Sequence, residues 1–389
     1  MNIQNKPAID KKIKGTLLVL GNGFDINCGL KSKFSDFFES KIAEIAHAAD
    51  TRFNSVSSNI WYLLLYFAFY DDNYYDSQSN KMAETMSNSN PLWMDVESFI
   101  KKIITINKKD DAWMNSYFPA KCQNYPEYLT HLYNSRMDTY VIGQHNQKSA
   151  VMKHFTKLKK LDFNIYSYLY DELLKFENEF KNYIYECVQK TPNYTDYCEQ
   201  LYKQLIDFLR EPTSVISFNY TNSLRWFIDS TQKEFEKNYY NVHGSLETDI
   251  IIGFDSGDFT DNENLGIKMS KAWQKMNLIE KPYELPKKDT LNTIKFYGHS
   301  LGPQDYSYFH SLFDYYDIYN SSITLVFYYT EYKYTEEENA LIRGQYVSAV
   351  YKLLTDYAKK SGNEEKVTTI ISRLQLENRL KIKKISCIT

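Results

Sequence analysis

Gly15-Thr16-Leu17-Leu18-Val19-Leu20-Gly21-Asn22-Gly23-Phe24-Asp25, running on through Gly29-Leu30 to Phe34, Phe37 and Phe38, decides how this chain is read. A short apolar run ends in two glycines one residue apart and passes into aromatics at helical spacing. That is the pattern of a buried strand, a tight turn and a helix start. Glycines there admit positive φ and let a ligand approach the backbone. The N–H groups of a helix start attract phosphate or another anion. The spacing departs from the dinucleotide fingerprint G-x-G-x-x-G, because position 26 is Ile and the next glycine is Gly29. No G-K-[ST] follows, so it is not a Walker loop. A strand-to-helix turn without a ligand has the same look, and the turn alone does not choose.

Working outward, Phe34, Phe37, Phe38 and Ile42 share one face of a helix predicted at about 30–50. From 51 to 210 the patterns are helical, at 52–70, 93–107, 147–160, 162–190 and 194–210, with a loop-like stretch at 108–146. Leu169, Leu173, Phe176, Phe180 and Ile184 mark the long amphipathic member. Strand patterns then return at 214–218, 239–242, 249–252, 293–297 and 323–329, with helices between them at 222–237, 264–278, 304–318 and 335–360 and a last segment at 365–389. Continuous apolar runs alternating with helices imply a mainly parallel sheet covered on both faces. The expected fold is α/β, Rossmann-like, with a nucleotide-binding domain over 1–50 and 211–389 and a helical insertion over 51–210.

The totals bound the function. The chain has 389 residues, long enough for a large core. With 35 Tyr and 23 Phe against 13 Gly and 9 Pro, it favours long helices with aromatics between them. A net charge of −3 argues against nucleic acid and anionic membrane as general partners. Five scattered cysteines without a C-x-x-C pair predict reduced thiols and no structural zinc. The N-terminus has no apolar signal core, and the apolar run Ile60 to Tyr70 is too short to span a bilayer. A soluble, cytoplasmic protein is expected.

In parallel sheets of this kind ligands bind beyond the carboxyl ends of the strands. That edge collects Gly21, Gly23, Asp25, Asn219, Thr221, His243, Asp255, His299, Ser300 and Asp305. Each also has an ordinary reading. His243 and Asn219 suit turns, Asp25 suits a helix cap, and His299 suits a loop held by local hydrogen bonds.

Several of these motifs resemble the AbiH family of bacterial phage abortive-infection proteins. They are Gly21-Asn22-Gly23-Phe24-Asp25 with Gly29-Leu30, Trp93-x-Asp95-x-Glu97, Phe218-Asn219-Tyr220-Thr221, His243-Gly244, and Gly298-His299-Ser300-Leu301 with Asp305. The resemblance implies antiphage defence by suicide of the infected cell and a phage-derived trigger. The same turns are more distantly similar to sirtuin-like NAD-binding domains, with Asp25 where those carry serine and without their C-x-x-C zinc module. Sirtuin-like domains of defence systems hydrolyse NAD, and that likeness implies NAD as ligand or substrate, with no metal.

On this reading His243 is the general base and Asn219 orients water or ribose. Gly21, Asn22, Gly23, Phe24 and Asp25 hold the pyrophosphate through their backbone. Thr221, Gly298, His299, Ser300 and Asp305 complete the nucleotide site. Two alternatives stand beside it: a nucleotide-binding sensor without turnover, and a metal-dependent nuclease using Asp25, Asp255 and Asp305. Whether copies of the chain associate stays open.

Overall fold

The computed structural model describes residues 15–49, 59–69, 96–105, 125–135, 146–155, 158, 164–206, 212–223, 238–255, 266–278, 283–332, 335–362 and 364–388. Two compact units divide the chain.

The first unit comprises Met1–Leu30, Thr191–Val242 and Glu280–Thr389. Its centre is a six-stranded sheet of β1 (Gly15–Leu20), β2 (Thr213–Ser217), β3 (Tyr239–Asn241), β4 (Leu291–Tyr297), β5 (Thr324–Thr330) and β6 (Leu380–Ile385). The strands lie in the order β3-β2-β1-β4-β5-β6, and every pairing is parallel. This is the Rossmann order, which reverses direction between β1 and β4 and leaves a crevice at the carboxyl ends there.

β1 is buried along its whole length, as a central parallel strand must be. Leu17 and Val19 face one side with Ile294, Phe296, Leu325 and Phe327, in one core with the helices Tyr306–Tyr315, Glu336–Lys360 and Glu364–Leu376. The paired residues Phe296 and Phe327 stack with ring centres 4.6 Å apart. On the other side Lys295 Nζ donates to the Leu205 carbonyl (2.9 Å) at the end of the helix Tyr194–Leu205. Phe24 lies there between the rings of Tyr202 and Tyr297.

The apolar run 249–252, expected as a strand, is not in the sheet. Ile250 makes a single antiparallel bridge to Gly244, and the Ile252 N–H goes to the Glu177 carboxylate (2.7 Å). The sixth strand is instead Leu380–Ile385, an edge whose exposed Lys383 and Lys384 discourage pairing with another chain. Arg379, just before it, is buried. Its guanidinium donates to the carbonyls of Ile318 (2.8 Å), Ile323 (3.2 Å) and Tyr319 (3.3 Å). A lysine cannot reproduce that fork, so Arg379→Lys is expected to lower stability by about 2 kcal/mol, read as the urea midpoint.

The second unit comprises Lys31–Lys190 and His243–Ile279 and is mainly helical. Its axis is the 26-residue helix Ile165–Lys190, which buries the predicted stripe Leu169, Leu173, Phe176, Phe180 and Ile184. The helix Phe34–Ala49 belongs with it, because Phe37 packs edge-on against Phe176 and Phe180. Buried Glu172 accepts from the Ile60 N–H (3.2 Å), while Asn59 accepts from the Trp61 N–H (2.8 Å) at the start of Ile60–Phe69. A helix at Tyr125–Ser135 lies in the stretch expected to be loop-like. The helix expected at 222–237 lies outside the described residues, as do Trp93 and Asp95. Glu97 pairs with the buried Lys271 ammonium (2.7 Å). No described helix is long and apolar enough to cross a membrane.

Candidate functional site

The carboxyl edge of the sheet is organised by backbone contact between two glycine turns. The Gly21 N–H donates to the Tyr297 carbonyl (2.9 Å) and the Gly23 N–H to the Gly298 carbonyl (2.7 Å). Gly298 has φ +71°, and a Cβ on it would stand 2.4 Å from the Phe24 nitrogen. A Cβ on Gly21 would stand 2.4 Å from the His299 Cα. The glycines therefore let β1 and β4 dock turn against turn. The docking uses donors expected for a pyrophosphate: Gly23 N–H is directed at Gly298 and Phe24 N–H at the Gly21 carbonyl (2.9 Å). Asn22 is half-buried beside them.

Asp25 follows on the short helix Gly23–Asn27 and is 1% exposed. Its two carboxylate oxygens accept from Tyr194 Oη (2.7 Å) and Thr221 Oγ1 (2.8 Å). Burial pushes its pKa up from 3.8 to about 6, with the two hydroxyls pulling the other way. Asp25 thus ties the β1 turn to the β2 turn and to the helix Tyr194–Leu205. Tyr194 was not legible as a partner, since 169 residues separate the two.

After β2, the Phe218 N–H donates to the Leu20 carbonyl (2.8 Å). The carbonyls of Asn219 and Thr221 both accept from Asn241 Nδ2 (2.8 and 3.0 Å) at the end of β3. Asn241, beside the His-Gly motif, is a positioning residue that its strand-end place could have flagged. The Asn219 side chain is 3% exposed, and neither its Oδ1 nor its Nδ2 has a hydrogen-bond partner. A buried amide with both ends unsatisfied is rare and costly.

In the β4 turn, His299 Nδ1 accepts from the Leu301 N–H (2.8 Å), which places the proton of the neutral ring on Nε2, facing Asp305 Oδ2 (3.2 Å). Phe218 and Phe309 hold the ring edge-on. His299 and Asp305 thus brace their own loop, while Ser300 is exposed. His243 belongs to the helical unit, where it is 5% exposed and its carbonyl accepts from the Ile251 N–H (2.9 Å). The edge of the sheet unit accordingly gathers Gly21, Asn22, Gly23, Phe24, Asp25, Asn219, Thr221, Gly298, His299, Ser300 and Asp305. Among the described residues no three His, Cys, Asp or Glu side chains group as metal ligands.

Beneath this edge lies a cavity of about 190 Å³ with almost wholly apolar walls. Val19, Ile216 and Tyr240 are register neighbours on β1, β2 and β3 and form its floor, with Phe218 nearer the edge. Tyr308, Phe309 and Leu312 of the helix Tyr306–Tyr315 cover it. Tyr283 closes one side, stacked on Tyr240 with ring centres 4.7 Å apart and planes at 12°.

A family model for bacteriophage abortive infection AbiH matches residues 17–329, from inside β1 to the end of β5. The chain belongs to the AbiH family. No curated protein matches it. Membership carries a role in phage abortive infection, and the matched residues take in all three turns of the edge as well as the helical unit. The last two helices and β6 lie beyond the match.

Proposed function

We propose that this AbiH protein binds NAD or a closely related nucleotide at the carboxyl edge of its sheet and hydrolyses the nicotinamide–ribose bond. The observation that carries the reading is Asn219, a buried amide with no partner of its own at the strand edge where a Rossmann-ordered sheet takes its ligands. The cavity one residue away offers an apolar, aromatic-lined space for a flat ring. A cavity of about 150 Å³ already admits benzene. Among nucleotides, NAD is the one that the resemblance of the turn motifs to sirtuin-like domains implies.

In the reaction the C–N bond to nicotinamide breaks, water adds to the ribose carbon, and one proton is released. The step passes through an oxocarbenium-like state. Asn219 orients water or ribose with its donor and acceptor. His243 is assigned the base on its residue type and its place in the chain after β3. The docked glycine turns leave fewer backbone donors for the pyrophosphate than a G-x-G-x-x-G turn offers. Binding without turnover is the second reading, favoured by Asp25 and His299 both being held in structural hydrogen bonds.

Asn219→Leu separates the site role from a packing role. Removing a buried amide that nothing in the chain satisfies is expected to raise stability by about 1–3 kcal/mol while abolishing the thermal shift produced by NAD. A loss of stability with retained NAD binding would sink the assignment. Nicotinamide release from NAD by the purified protein, absent in His243→Ala, tests turnover; NAD bound but uncleaved by the wild type would leave the sensor.

A further inference from the structure

The 25-residue helix Glu336–Lys360 follows β5 and lies beyond the family match. None of its residues from 336 to 349 is buried. Its outward face repeats at spacings of four and three: Glu337, Leu341, Gly344, Ser348, Tyr351 and Thr355. That is the seam spacing of a two-helix coiled coil. Leu341 is 62% exposed and Tyr351 58%. The hydroxyls on the seam are internally satisfied, Ser348 donating to the Gly344 carbonyl and Thr355 to the Tyr351 carbonyl (both 2.9 Å). Beyond Glu337 the face therefore presents carbon rather than open polar groups.

Gly344 sits in the middle of the seam. A Cβ there would meet nothing within 4 Å. Glycine is a poor residue for an exposed helix interior, and no neighbour in the chain makes use of the missing side chain. Close approach of a surface from outside the chain would.

The charges choose that surface. The first turn carries Glu336, Glu337 and Glu338, and the far end carries Lys352, Lys359 and Lys360. Glu336, Glu337, Lys352 and Lys359 form no ion pair with any described residue. Arg343 and Gln345 flank the seam between these ends, and Asp356 at the far end is taken up by Lys360 and His310 of its own chain (3.5 Å each). The acidic first turn and the unpaired lysines leave the helix complementary to itself when reversed. We infer that a second copy of this chain docks on the helix Glu336–Lys360, antiparallel, about a two-fold axis opposite Tyr346. Such an interface is isologous. It sets Leu341 against the partner's Tyr351 and Gly344 against the partner's Ser348, so that small faces small where the helices cross. Glu337 then lies about 4.5 Å along the axis from the partner's Lys352, given a rise of about 1.5 Å per residue. Glu336 is level with the partner's Asp356, which its own Lys360 and His310 neutralise, and one turn's reach from the partner's Lys359.

The test is the mass in solution of the full chain from 1 to 50 µM by sedimentation velocity, at low and high salt. The wild type is expected to sediment as a dimer that weakens at high salt. Two charge-reversed proteins, Glu336→Lys/Glu337→Lys and Lys352→Glu/Lys359→Glu, are each expected to be monomeric alone and to form a one-to-one heterodimer when mixed. Gly344→Leu is expected to weaken the dimer at least tenfold with unchanged helical circular dichroism. A monomeric wild type at 50 µM, a dimer indifferent to charge reversal, or reversed proteins that do not pair on mixing would each overturn the inference.

Discussion

Gly298→Ala is expected to remove at least about 3 kcal/mol of stability. Two terms add. A φ of +71° in a residue with a side chain costs about 1–2 kcal/mol. The new Cβ would also stand 2.4 Å from the Phe24 nitrogen and 2.8 Å from the Gly21 oxygen, both backbone atoms of the β1 turn. Relief requires parting the two turns, which breaks the Gly23–Gly298 hydrogen bond and exposes the end of a buried strand. Gly302→Ala is the control. Its Cβ would meet chiefly Gln304 Oε1 (2.5 Å), the far end of a flexible side chain, so a change within about 0.5 kcal/mol is expected. Urea melts of the two variants decide the matter. Equal midpoints would mean that the turns are not docked as described.

The second large effect is a dependence on pH that Asp25→Asn should erase. Folding raises the Asp25 pKa from 3.8 to about 6, so the native chain holds this proton more tightly than the unfolded chain does. The resulting stabilisation is full below about pH 4 and is lost as pH rises through about 6. A shift of this size corresponds to about 3 kcal/mol. Asparagine keeps the shape and stays neutral, and one of the Tyr194 and Thr221 hydroxyls turns to accept from its amide. The difference in unfolding free energy between variant and wild type should therefore grow in the variant's favour by about 3 kcal/mol from about pH 3 to pH 7. A difference that stays flat would show that the carboxyl is not desolvated.

The sequence carried the strands that are buried on both faces, because a continuous apolar run closed by glycine has few other readings. It hid β6, whose Leu-Lys-Ile-Lys-Lys-Ile pattern follows from lying at an edge, half in water. It misplaced 249–252, where apolar character reflects burial within the helical unit rather than pairing in the sheet. At the candidate site, residue types and strand ends pointed to Asn219 and the glycines. Their present bonding was not legible. That Asp25 is closed off by Tyr194, and that Gly21 and Gly23 face another turn, depends on contacts between residues far apart in the chain. The same holds for the cavity, whose walls come from three strands, one helix and the stretch around Tyr283.

The docking of the β1 and β4 turns also orders events during synthesis. Leu20 and Gly298 are 278 residues apart, so at about 5–20 residues per second the ribosome needs roughly 14–55 s to travel from one to the other. Through that interval β1 is an apolar strand without its β4 neighbour, and the edge that bears Asn219 lacks one wall. A stalled or truncated chain that ends before Gly298 thus lacks the carbonyl that receives the Gly23 N–H and leaves the β1 turn undocked.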